Sequence, residues 1–448
     1  MEILRFAYDN LKRNPKNAYF FAFSIIVASA VITLFFSILG NPYYGISSMS
    51  DYVTYAIGSA DFDGGIGNGI FAMILSLMMI SICVITVFFS NKFFLISKVE
   101  DISVMMISGC NVIRLGYFLI VQNFIVLLIS APIGALVGFG LHPMINYLIY
   151  KEMAISAPLF AFSMDAMVYC VTTLFMVGFW LILVDAGFVY RMDLNSLLKA
   201  KKAMNPIGKS KSVYFKIFYV VVYAYILYFL CTLDFTHVNF FFMIYVSVGI
   251  ACGPANIFKY IYPEAVTWVK NKLFPTDHHR VISTGNLRYS IITSGMLVTI
   301  ILIDVSILFF YLCKFRHDAA TFMVVLLSYI VSLVLICVCI GYKLSSDALN
   351  KKLIFHNMIS IGYLKSDIKT IILQEMAGFF FLIILTCFPL LFIISFMFVL
   401  FDTITPAFMA GMLLIFVAMI SFAGVVMYRI YVNLIFKEAI DKPIVNEE

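Results

Sequence analysis

A chain of 448 residues with 63% hydrophobic and only 12% charged residues carries more apolar surface than a water-soluble core can hide, since soluble domains average roughly 45–50% and 25%. Its mean hydropathy of +1.02 excludes a water-soluble fold and makes the bilayer the solvent. The formal charge of +6 is spread over short connections rather than gathered in one basic patch, which argues against nucleic acid as a partner.

The first residues, MEILRFAYDNLKRNPKN, form a basic amphipathic stretch that runs into a full-length span, so a retained segment is expected rather than a cleaved signal peptide. A helix needs about 20 apolar residues to cross the hydrocarbon core. Windows that meet this lie near 18–40, 69–90, 115–140, 165–190, 213–233, 237–258, 291–313, 319–342, 375–400 and 406–430, which predicts an all-α polytopic membrane protein of ten spans. Only a few residues around Asp234 part the fifth from the sixth, so these two are expected to form a tight hairpin. The nine cysteines are scattered, with no CxxC pair, and read as small lipid- or core-facing residues.

Basic loops are retained in the cytoplasm. With the N-terminus inside, 27 of the 30 Lys and Arg fall in segments 1–17, 91–114, 190–217, 259–290, 343–371 and 429–448, and the outer connections keep only Lys151, Lys314 and Arg316. An odd number of spans would scramble this alternation. Both termini are therefore expected on the cytoplasmic side. The outer loop of about 41–67 holds Asp51, Asp61 and Asp63 with several tyrosines and no basic residue, which fits either a solvated connector or a contact for a cationic peptide.

Two polar anchors recur along the chain. Asn10-Leu11-Lys12 before the first span returns as Asn286-Leu287-Arg288 before the seventh, 276 residues later. SVMMISGCNVIRLGYFLIVQN around Gly109 lines up with FHNMISIGYLKSDIKTIILQE around Gly362, 253 residues later, with Gln122 opposite Glu375. The offsets differ by 23 residues, close to the excess length of the first outer loop. This predicts one four-helix unit used twice in parallel, over 1–211 and 263–448, with an inserted hairpin at 212–262.

RFAYDNLKRNPKN before the first span, KVEDISVMMISGC between the second and third, and YRMDLNSLLKAKK after the fourth together resemble the FtsX/MacB-like permeases of ABC transporters. The similarity is closest to the bacitracin-efflux, BceB-type branch. That branch also duplicates a four-span unit around a hairpin, but it carries a large extracellular domain between spans seven and eight where this chain has only CKFRHDA. The resemblance implies a permease subunit in a bacterial cell membrane, with export of, or resistance to, antimicrobial peptides or other amphipathic molecules. It implies a cytoplasmic ATPase partner in two copies, which would hold the ATP and Mg. A sensor histidine kinase is a further partner that it leaves open.

The segments at about 98–112 and 351–366 are short, amphipathic and end in glycine; their Ile102, Met105, Met106 and Gly109, with Met358, Ile361 and Gly362 in the copy, suit a helix that docks in another protein's groove. The resemblance makes that groove an ATPase's and adds Asp101, where the family favours Glu; Ile354 stands at the matching place in the copy. An interfacial helix held only by lipid is the alternative, with both glycines as plain C-caps. Gly208-Lys209-Ser210 is no phosphate loop, because Ala203 stands where a Walker A motif needs Gly, so neither a catalytic residue nor a cofactor site is expected in this chain.

Inside the spans, Asp304, Asp185, Glu375 and Gln122 are costly in lipid and should face protein or water. Gly134 and Gly138 form a small-xxx-small face beside Pro132, a packing seam. Asp277-His278-His279 has no further partners for a metal, and none is expected. Two other functions remain compatible with the sequence. One is an FtsX-like regulator that passes ATPase strokes to a sensor kinase or a cell-wall hydrolase; the other is an ATP-independent carrier with Asp304 as its proton site.

Overall fold

The computed structural model describes residues 15–41, 43, 68–153, 156–161, 163–190, 212–232, 240–317 and 319–436. The expectations for the N-terminal amphipathic residues, the acids of the outer loop, the segment that follows Tyr190, Gly208-Lys209-Ser210 and the hairpin tip at Asp234 lie outside these residues. Every regular element among the described residues is helical. In chain order they are α1 (Pro15–Leu39), α2 (Asn68–Ser97), α3 (Val99–Ile107), α4 (Val112–Met153), α5 (Met164–Tyr190), α6 (Val213–Thr232), α7 (Phe240–Cys252), α8 (Tyr262–Leu273), α9 (His278–Lys314), α10 (Ala319–Ser360), α11 (Lys365–Leu400) and α12 (Pro406–Phe436). Nine of them, all but α3, α7 and α8, are long and apolar enough to cross a membrane. The chain is thus a polytopic helical membrane protein.

The sixth window, expected as one apolar helix over 237–258, is instead interrupted. Helix α7 has 13 residues and stops at Gly253-Pro254; a single turn Pro254–Asn256 and a π-helical turn Ile257–Ile261 then lead into α8. The cause is local: Pro254 has no N–H to offer the preceding turn. The Asn256 amide covers the loss by donating to the carbonyls of Ala251 and Cys252, both at 2.9 Å. The segment nonetheless runs the whole height of α6. Phe229 packs on Tyr245, Ile226 lies under Gly249, the Tyr223 backbone under Gly253, Tyr219 stacks on Tyr260, and Lys216 pairs with Glu264. A Cβ at Gly253 would sit 3.1 Å from the Tyr223 nitrogen, so the close approach at the break favours glycine there. The sixth window is therefore a broken helix paired along α6, outside the nine helices that are long and apolar enough to cross.

Several helices outrun the bilayer. Helices α4 and α10 have 42 residues each, about 63 Å at 1.5 Å per residue, twice the hydrocarbon thickness of about 30 Å. The chain divides into two compact units. One takes residues up to Lys202 together with His317–Tyr342; the other takes Ala203–Arg316 and Lys343–Glu448.

In the first unit, α1 lies against α4 with almost no side chain between them. A Cβ on Gly134 would fall 1.8 Å from Ser29 Oγ and 2.3 Å from the Ile26 carbonyl oxygen, and one on Gly138 would fall 2.5 Å from the Ala30 oxygen. In lipid, where apolar burial drives little, such backbone contact supplies the dispersion that holds helices together. The second unit packs larger side chains: Phe310 on Phe398, Phe258 on Phe379, Leu287 over Gly378.

Candidate functional site

Each unit contains the same helix–turn–helix element at the end of its helices that is rich in Lys and Arg, called here the basic end. Gly109 (φ +86°) and Gly362 (φ +111°) are both in the left-handed region. Around them the turn closes identically: the nitrogens of Gly109 and Cys110 donate to Met106 and Met105, those of Gly362 and Tyr363 to Ile359 and Met358. This is a Schellman motif, which ends a helix and satisfies its last carbonyls. Glycine is required because a Cβ strains this conformation. The buried positions recur at the same 253-residue offset: Ile102 and Phe355, Leu115 and Ile368, Phe118 and Ile371, Leu119 and Ile372, Gln122 and Glu375 are all buried.

The structure turns Ile102, Met105, Met106 and Met358 inward, whereas Ile361, expected on the outer face with them, is exposed. Ile102 is fully buried, with Leu95, Leu115, Phe118 and Leu119 around it, and Met105 and Met106 pack against the same cluster. Met358 is buried as well. Helix α3 has nine residues and one apolar stripe, and α4 takes that stripe. The apolar side chains left in the open are Val104 (63% exposed), Ile107 and Ile113 in the first element, and Leu353, Ile354, Ile361 (80%) and Leu364 in the second. Asp101 lies in α3.

The intramembrane polar residues gather into two clusters, each within one unit. In the first unit Asp185 is fully buried and accepts from the Asn91 amide at 2.7 Å and from the Asn123 amide, which also donates to Asn91 at 2.7 Å. A carboxylate on α5 is thus held by amides from α2 and α4. Beside Asn123 a cavity of about 90 Å³ opens between α4 and α5, lined otherwise by apolar residues such as Phe124, Phe175 and Phe179. In the second unit Glu375, fully buried on α11, accepts from Lys351 Nζ at 2.7 Å and from Ser290 Oγ at 2.9 Å. Lys343 donates to the Ser290 carbonyl at 3.2 Å and pairs with Asp347 at 2.6 Å. The cluster carries two ammonium groups and two carboxylates, so its formal charge balances.

Asp304 is also buried but stands 14 residues from Ser290 on α9, about 21 Å along the axis, and belongs to neither cluster. Asp277 accepts from the nitrogens of His279 and Arg280 and pairs with Arg280, so it caps α9. Among the described residues, no group of three or more His, Cys, Asp or Glu is placed to hold a metal. None of the nine cysteines forms a disulfide.

Sequence reading found Glu375, Gln122 and Asp185 but missed their partners. Lys98 and Lys351 share the offset of Gln122 and Glu375, since 351 − 98 and 375 − 122 both equal 253, and Lys343, Asp347 and Lys351 follow i, i+4, i+8. It also missed a polar stripe on the far extension of α4. Asn146 donates to the Leu159 carbonyl at 2.9 Å, Asn41 donates to Tyr150 at 2.7 Å, and His142 stands 2.9 Å from the Asn146 amide. The signal was the same i, i+4, i+8 spacing of 142, 146 and 150.

No protein-family model matches this chain, and no curated protein matches it either.

Proposed function

We propose that this chain is the permease subunit of an FtsX/MacB-like, BceB-related ABC transporter in a bacterial cell membrane, with the basic end in the cytoplasm. In this reading two ATPase subunits close on ATP and push on the elements at Gly109 and Gly362, and the motion serves export of, or resistance to, antimicrobial peptides or other amphipathic molecules. The observation that carries it is the repetition of one rigidly capped helix–turn–helix at a 253-residue offset, each copy leaving apolar side chains uncovered at the basic end. A helix stopped by a Schellman turn and braced by its neighbour transmits a push instead of fraying. Two copies supply one contact for each of two partners.

The test is copurification of the chain with an ABC-type ATPase from membranes of the native host. Val104→Ser with Ile107→Ser, and Ile361→Ser with Leu364→Ser, alter only exposed positions and should each lower recovery of the ATPase, with the combined variant losing it. Undiminished recovery with the combined variant overturns the reading. Transport of substrate by the chain alone in proteoliposomes would replace it with an ATP-independent carrier, for which Asp304→Asn is the next variant to measure.

A further inference from the structure

Helix α8 is too short to cross a bilayer, yet it sits at the level where one begins. Lys216, in the first turn of the crossing helix α6, pairs with Glu264, in the first turn of α8, and Tyr219 stacks on Tyr260 one turn further in. Trp268 follows Glu264 by four residues, about 6 Å along the helix, so at any tilt it falls within the headgroup layer, some 5–8 Å deep on each side. Trp268 is 58% exposed, as is Leu273, and Ala265, Trp268 and Lys272 share the outward face. The Lys272 ammonium lies over the Trp268 ring, 4.9 Å from its centroid.

The charges around this face are unbalanced. Between residues 259 and 280 the acids are Glu264 and Asp277, and each is already engaged, with Lys216 and with Arg280. Lys272 stands over the exposed tryptophan, Lys270 follows it in sequence by two residues on another side of the helix, and His278 comes after. A tryptophan at headgroup depth flanked by lysines is the arrangement that seats an interfacial helix on an acidic leaflet. We propose that α8 is a lipid-docking helix that gathers anionic phospholipid headgroups through Lys270 and Lys272, with Trp268 seated among the acyl-chain ends. The complementary charge, not the apolar area alone, selects this partner, and the proposal is independent of the transporter reading.

Trp180 and Trp268 are the only tryptophans, so Trp180→Phe leaves Trp268 as the sole reporter in the full chain. The purified protein is placed in phosphatidylcholine nanodiscs containing a fixed fraction of either brominated phosphatidylglycerol or brominated phosphatidylcholine. Quenching by the anionic lipid should exceed that by the zwitterionic one about twofold or more. The excess should vanish in Lys270→Gln/Lys272→Gln and persist in Lys270→Arg/Lys272→Arg. Equal quenching by the two lipids, or an excess that survives the glutamine pair, overturns the proposal. Strong acrylamide quenching without lipid quenching also overturns it and reassigns the face to a protein partner.

Discussion

At Lys98 the chain breaks between α2 and the nine-residue α3, whereas α10 runs through Lys351 without interruption for 42 residues. These lysines occupy equivalent places in the two copies, and what faces them differs. Lys351 meets the Glu375 carboxylate, while the position matching Glu375 in the first copy holds the amide of Gln122, and the Lys98 ammonium lies 5.9 Å from the Phe94 ring centroid. The helix seams differ in the same way. Gly134 and Gly138 let α1 and α4 touch backbones, but Cys387 and Leu391 stand at the matching places on α11. The duplicated element has kept its turn and its buried positions and exchanged its means of cohesion, close backbone packing in one unit and balanced buried charge in the other.

The largest effect should come from stranding a charge in the second unit. Lys351→Met leaves Glu375 buried without its cation and should cost about 3–5 kcal/mol, while Lys351→Met/Glu375→Leu recovers most of it. Unfolding in detergent measures both. Lys98→Met is the matching variant in the first unit; equal losses at 98 and 351 would erase the contrast between the units. Next comes the glycine seam. Gly134→Leu forces α1 off α4 and should lower stability by about 1–3 kcal/mol or more, with Cys387→Leu at the equivalent place tolerated better in the same unfolding assay.

Smaller again is Asn123→Leu, which removes one of the two amides on Asp185 and should cost about 1–2 kcal/mol, near the upper end of what single polar contacts contribute in membranes. The smallest pair tests what the copies share. Gly109→Ala and Gly362→Ala each place a Cβ in the left-handed region, with open space around it, and should each cost about 1 kcal/mol from backbone strain alone. A marked inequality between them would mean that the two turns are not mechanical equivalents.

Much of the fold was legible because lipid imposes simple rules. Apolar windows of sufficient length located every uninterrupted crossing, and Gly109 and Gly362 were visible as a matched pair. The break at Gly253-Pro254 was hidden because its residues are as apolar as a continuous span, and the rescue by Asn256 depends on a turn that hydropathy does not encode. The direction of α3 was misread for a related reason. Ile102, Met105 and Met106 mark an apolar stripe correctly, but sequence alone does not tell whether a stripe meets a partner or the next helix of its own chain. The lysines were misjudged differently: Lys343 and Lys351 were counted with the cytoplasmic loops, yet both are buried and paired inside the second unit.

The interrupted crossing bears on how the chain enters its membrane during synthesis. Helix α7, at 13 residues, covers about 20 Å, roughly two thirds of the hydrocarbon core, and the stretch that completes the passage carries Pro254, Asn256 and Lys259. Such a segment has little tendency to leave the translocon by itself. Its bonds run to α6, from Tyr245 on Phe229 to Glu264 on Lys216, so partition into lipid falls to the two together. With α6 deleted, α7 should fail to insert and everything after α8 should keep its sidedness, read by glycosylation tags placed after α8; inverted sidedness would show that α7 crosses alone. Biogenesis of the second unit then waits on a hairpin and not on a single hydrophobic stretch.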